Sequence, residues 1–159
     1  MSDVVEAFGV AAWRPAPALP AFPDAHFVED TALCLPEGVI FMSPGAPSRA
    51  GEVASMRADI AHLFGETHQI SPPAHIEGGD ILRIKNHFII GISSRTDEVG
   101  AKNLSKIIKK IGGTSEIAVT PENILHFKSE CSLLDEETIL ATENLIKTGF
   151  FDKKYQIVK

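Results

Sequence analysis

No lysine occurs in the first 84 of the chain's 159 residues: all ten follow from Lys85, and before it the only long cations are Arg14, Arg49, Arg57 and Arg83. Cysteine is scarce too. Cys34 and Cys131 each stand alone in an apolar stretch, which excludes a disulfide framework and a CxxC metal clasp and fits a reducing, cytoplasmic setting. No apolar run reaches the length of a membrane span and no basic-then-apolar leader opens the chain, so no membrane partner is expected. A basic excess is also missing. The net charge is −6, and the one lysine cluster, residues 106–110, reads as the solvated face of a helix, so nucleic acid is not the expected partner. His62, His68, His75 and His87 lack paired zinc spacing and no phosphate-binding loop occurs; neither a metal nor another cofactor is expected.

What is present describes one soluble domain over residues 1–159, 44% hydrophobic and 23% charged. Its composition shifts midway, from Ala and Pro to Ile, Lys and Asn. A chimera of two parent sequences, joined between Gly65 and Pro73, is the sharper explanation of that shift.

Two stretches are near-copies: Gly45-x-x-Ser48-Arg49-x-x-Glu52-Val53 and Gly91-x-x-Ser94-Arg95-x-x-Glu98-Val99, 46 residues apart. A period of this length marks one supersecondary unit repeated along the chain. The order in each unit reads β-β-α-β, over roughly residues 26–72, 75–120 and 124–159. In the first, residues 27–35 and 39–42 form a hairpin, residues 50–64 a helix with Val53, Met56, Ile60 and Leu63 inward, and residues 68–70 a closing strand. In the second, Lys85-Asn86 turns a hairpin of residues 80–84 and 87–92. A helix over residues 97–111 buries Leu104, Ile107, Ile108 and Ile111, and residues 116–119 close the unit. The third starts at Ile124, returns along residues 138–141, has a short helix at 143–147 and ends in a strand at 155–158. Residues 1–25 hold a residual helix (3–8), a strand (10–13) and a proline-rich connector.

Units that cannot bury their own apolar faces need neighbours. If they turn about an axis, their strand starts gather Glu29, Asp30, Glu77 and His126 at one place. Paired carboxylates suit a guanidinium held by forked hydrogen bonds, and Arg49 and Arg95 suit a carboxylate at the far end of the same ligand. A histidine among them can exchange protons near neutral pH. Singly, each has a plainer use: Asp30 and Asp80 can cap turns, Glu29 can be solvated, and the arginines can pair with carboxylates at helix starts. At equivalent positions of a repeat, a site for a guanidino amino acid is the better reading.

Phe22-Pro23-Asp24-x-x-Phe27-Val28-Glu29-Asp30, Pro44-Gly45-Ala46-x-Ser48-Arg49, Glu77-Gly78-Gly79-Asp80, Ser94-Arg95-Thr96 and Leu125-His126-Phe127-Lys128 resemble, in order and spacing, the dimethylarginine dimethylaminohydrolases of the guanidine-modifying superfamily. That resemblance implies an α/β propeller of β-β-α-β units, here about three of five. It implies that Asp30 and Glu77 grip the guanidinium and that His126 is the general acid and base. Arg49 and Arg95 would contact the substrate's carboxylate, and Asp24 and Glu29 would line the pocket. In the family a cysteine thiolate attacks the guanidinium carbon without a metal and releases methylamine or dimethylamine, leaving citrulline. That cysteine belongs to the family's last unit, and neither Cys34 nor Cys131 matches its position. The chain alone is therefore expected to be inactive, as a propeller fragment completed by another piece or by self-association into a homo-oligomer. The alternative is a non-catalytic, engineered or chimeric propeller that self-associates.

Overall fold

The computed structural model describes residues 22–151 and 154–159. The expected helix at 3–8, the strand at 10–13 and most of the proline-rich connector lie outside the described residues. The rest forms three small sheets with one repeated topology: an antiparallel hairpin whose second strand pairs in parallel with a third, after a helical crossover in each case. The first sheet comprises β1 (Ala32–Leu35), β2 (Gly38–Phe41) and β3 (Thr67–Gln69), with helix α1 (Glu52–Ile60) between β2 and β3. The second comprises β4 (Ile81–Ile84), β5 (His87–Ile92) and β6 (Thr114–Val119), crossed by α2 (Glu98–Lys110). The third comprises β7 (Cys131–Leu133), β8 (Thr138–Ala141) and β9 (Gln156–Val158), with a single turn of helix α3 (Glu143–Ile146). Among the described residues no helix is long and apolar enough to cross a membrane.

Apolar residues run continuously along β2 and β5 because both faces of these strands are covered. Ile40 and Met42 join Phe88, Ile90, Leu104 and Ile108 in a core between the first two units, while Val39 and Phe41 face Val53, Met56 and Ile60 of α1. From β4, Ile81 enters that first core, but Leu82 and Ile84 turn with Ile89 to a second core holding Phe127, Ile139 and Leu145. Each fully buried side chain of this kind contributes about 1.5–3 kcal/mol. The period-two alternation thus welds neighbouring units together.

Helix α2 begins at Asp97, whose Oδ1 accepts from Gly100 N at 2.6 Å while Oδ2 accepts from His75 N at 3.1 Å. Its core face is Ala101, Leu104 and Ile108; Ile107 and Ile111 are only partly buried. The first helix is shorter than expected. It gives way to a 3-10 turn at Ala61–Leu63, which leaves Leu63 57% exposed rather than inward.

The larger difference lies at the strand starts. Residues 27–30, Asp80 and residues 125–128 are not strand. Each unit opens with a 3-10 turn, Val28–Asp30, Gly78–Asp80 or Phe127–Ser129, and strand begins only after it. Extended apolar residues precede a turn and a strand alike, so alternation cannot separate them. The first turn packs against the second and the second against the third, bringing three distant segments together.

Candidate functional site

Polar residues in and beside these turns, Asp80 excepted, face a pocket of about 540 Å³, and all seven expected site residues line it: Asp24, Glu29, Asp30, Arg49, Glu77, Arg95 and His126. Glu77, fully buried just before the second turn, and His126, just before the third, are in direct contact. His126 Nε2 donates to Glu77 Oε2 at 2.8 Å and stands 3.9 Å from Asp30 Oδ1. Hydrogen bonding to Glu77 raises the His126 pKa above its ordinary value; partial burial opposes the rise, and the charges of Asp80, Asp30 and Glu77 add to it.

Glycine is required where the turns meet. A Cβ on Gly79 would lie 2.7 Å from His126 Cγ and Nδ1 and 3.0 Å from Asp30 Oδ1, and one on Gly78 would lie 2.0 Å from the Glu29 carbonyl oxygen. The Gly78-Gly79 pair therefore lets His126 and Asp30 approach a bare backbone.

The two arginines differ. Arg95 is 30% exposed at its side chain and reaches Glu77 Oε1 at 3.4 Å. Arg49 is buried. Its Nη1 donates to Asp30 Oδ2 at 2.6 Å, its Nε and Nη2 to Glu52 Oε2 at 2.9 and 2.7 Å, and its Nη2 also to Phe27 O at 3.0 Å. Burial works against that charge, but the bonds to Glu52 and Asp30 outweigh it and raise the guanidinium pKa. Of the two uses open to Arg49, pairing with a carboxylate at a helix start is the one its contacts show; one Nη1 hydrogen at most is left for anything else.

Asp24 sits at the rim, its carbonyl oxygen 3.4 Å from Arg49 Nη2. Glu29 is solvated on one side and pairs with Lys128 across the mouth, joining the first unit to the third. Glu52 is the helix-start carboxylate expected as an alternative partner for Arg49, whereas no part was expected of Lys128, Ser93 or Thr96. The repeated Glu at positions 52 and 98 was a signal for Glu52; the others reach their partners over separations that no local pattern displays.

Asp30, Glu77 and His126 each offer a ligand atom within 4.8 Å of the other two, close enough to share a small cation; they are the described residues that could hold a metal. The same set matches a planar guanidinium, and Glu77 already has one arginine guanidinium beside it. The two cysteines stand apart from the pocket lining. Cys131 lies in the second core, its Sγ donating to Phe127 O at 3.6 Å, and burial pushes its thiol up to about 12. Cys34 is on β1 with its side chain exposed, and the neighbouring protein that partly surrounds it raises its thiol as well. His126 stands just before the third turn and Cys131 begins the strand after it.

The family model described as arginine deiminase matches residues 17–154. An N(G),N(G)-dimethylarginine dimethylaminohydrolase from Pseudomonas aeruginosa is 35% identical over 131 residues, covering 82% of this chain and 51% of the relative. One from Streptomyces coelicolor is 30% identical over 138 residues, covering 86% and 53%. Among solved structures, the Pseudomonas aeruginosa enzyme, as a cysteine-to-serine mutant complexed with citrulline, aligns with a TM-score of 0.79 at 34% identity over 87% of this chain and 54% of that one. An amidinotransferase from Microseira wollei, 16% identical with a TM-score of 0.74, shares the fold. The chain spans about half the length of the curated relatives it matches.

Proposed function

The chain belongs to the arginine deiminase family, and from that membership we propose that its pocket binds the guanidinium of a methylated arginine, with Asp30 and Glu77 as the grip and His126 as the proton carrier of a dimethylarginine dimethylaminohydrolase-type reaction. The observation that carries this reading is the convergence of one histidine and two buried carboxylates, His126 Nε2 lying 2.8 Å from Glu77 and 3.9 Å from Asp30. In-plane N–H groups of a guanidinium match two carboxylates better than a spherical charge does. Arg95, partly exposed and with a single long contact to Glu77, meets the α-carboxylate of such a ligand. Arg49 serves by holding the Asp30 carboxylate in place, and Asp24 and Glu29 shape the rim.

In the reaction so proposed, a thiolate forms a C–S bond at the guanidinium carbon. The C–N bond to dimethylamine then breaks, and protonated His126 supplies the proton that the amine carries away. Neutral His126 next takes one proton from water, whose oxygen bonds to the carbon; as the C–S bond breaks and the C=O bond forms, the second water proton passes to solvent, leaving citrulline and the thiolate. A raised His126 pKa suits the first step, because the ring must be charged when the amine departs. Neither Cys34 nor Cys131 is the thiolate in this reading: each has its pKa raised, and neither lines the pocket. The 159-residue polypeptide then binds the ligand without converting it, its three units being blades of a partial propeller completed by another copy or by a complementary fragment. Phe27 and Leu125, 54% and 51% exposed at the pocket, favour such coverage.

Calorimetric titration with dimethylarginine, alongside a colorimetric citrulline assay, tests this. The expected result is binding that weakens at least about ten-fold in Glu77→Gln, as loss of a charged hydrogen bond implies, with no citrulline formed. Absence of binding at millimolar ligand would overturn the site. Turnover that disappears in His126→Ala would overturn the proposed inactivity.

A further inference from the structure

Resting on the guanidinium-site reading, we propose that Asp80 is a positioning residue: from outside the pocket it fixes Glu77, Arg95 and His126 relative to one another. Its carboxylate is fully buried and does not line the pocket. Oδ1 accepts the backbone N–H of Phe127, the residue after His126, at 2.7 Å. Oδ2 accepts the hydroxyls of Thr96 at 2.6 Å and Ser93 at 2.7 Å. Those hydroxyls accept in turn: Thr96 Oγ1 takes Glu77 N at 3.1 Å, and Ser93 Oγ takes Arg95 N at 3.0 Å and Thr96 N at 3.2 Å.

One carboxylate is thus bonded directly to the segment carrying His126 and, through a single hydroxyl each, to the backbone of Glu77 and of Arg95. Bonds to an ionised acceptor are shorter and stronger than neutral ones, and around a fully buried carboxylate they are costly to leave unmade. A Glu77 to His126 contact of 2.8 Å joins segments 49 residues apart, and side chains that long hold such a distance only when their backbones are fixed. Asp80 also contributes the largest of the through-space charge effects on His126, after its bond to Glu77 and the opposing effect of burial. Its influence therefore reaches the imidazole by geometry and by field.

Two substitutions separate this role from simple support. Asp80→Asn keeps the shape but removes the charge and one acceptor. Thr96→Val removes the hydroxyl between Asp80 and Glu77 and keeps the charge. Titration of the His126 ring by NMR and calorimetry with dimethylarginine are read on both, with circular dichroism to show that each is folded. The His126 midpoint falls toward its ordinary value in both, further in Asp80→Asn, and dimethylarginine affinity drops about ten-fold or more. If either variant folds with a lower melting temperature while the His126 midpoint and the affinity stay at wild-type values, Asp80 is only structural and the proposal fails. Should the wild type itself not bind dimethylarginine, the proposed function falls, and the His126 titration still decides the part played by Asp80.

Discussion

The first and second junctions between units are built to one plan and finished differently. At the first, Asp30 takes Gly79 N at 2.9 Å and its other oxygen is held by Arg49; at the second, Asp80 takes Phe127 N at 2.7 Å and its other oxygen is held by two hydroxyls. An arginine partner offsets the charge of Asp30 and lets it stay at the pocket wall, near His126. Asp80, with neutral partners and no exposure, has its pKa raised by burial despite three donors, and it faces inward. From one repeated latch the chain has made a carboxylate at the pocket wall and another buried behind it.

The comparison breaks most completely at Arg49. Arg49→Met leaves Asp30 and Glu52 buried without their cation, so urea unfolding should show a loss of about 3–5 kcal/mol. A loss below about 1 kcal/mol would mean that the first junction does not depend on its ion pairs. Gly79→Ala comes next, since its Cβ must displace the His126 ring or the Asp30 carboxylate; overpacking of this kind costs about 1–3 kcal/mol. In the same variant the His126 midpoint should fall as the bond to Glu77 is strained, which NMR would read. Lys128→Ala gives the smallest effect. Its ion pair with Glu29 is open to water on the Glu29 side, so stability should change by less than about 1 kcal/mol, as thermal melting in low and high salt would register.

Much of the architecture was legible in the order of residues. The paired Ser48-Arg49 and Ser94-Arg95 motifs marked two units, and the apolar runs at residues 39–42 and 87–92 marked β2 and β5. That the candidate site residues meet at one pocket was legible because carboxylates and a histidine stand at the openings of successive units. What could not be read was the backbone carrying them. Phe27-Val28-Glu29-Asp30 has the look of a strand start, yet it folds as a 3-10 turn because Asp30 turns inward to meet Gly79 and Arg49. Arg49 bears the same motif as Arg95, and only its burial beside Glu52 sets their duties apart. The hub at Asp80 depends on partners 13, 16 and 47 residues away, separations that only the folded chain closes.

The Glu77 to His126 pairing is the centre of this account, and the titration of His126 in the intact chain tests it most directly. A histidine whose folded pKa is raised stabilises the fold fully below its ordinary value of 6.5 and loses that contribution as pH climbs through the raised value. The account predicts an NMR midpoint above 6.5 that returns toward it in Glu77→Gln, with stability declining across the same rise in pH. A midpoint at or below 6.5, unmoved by Glu77→Gln, would contradict it.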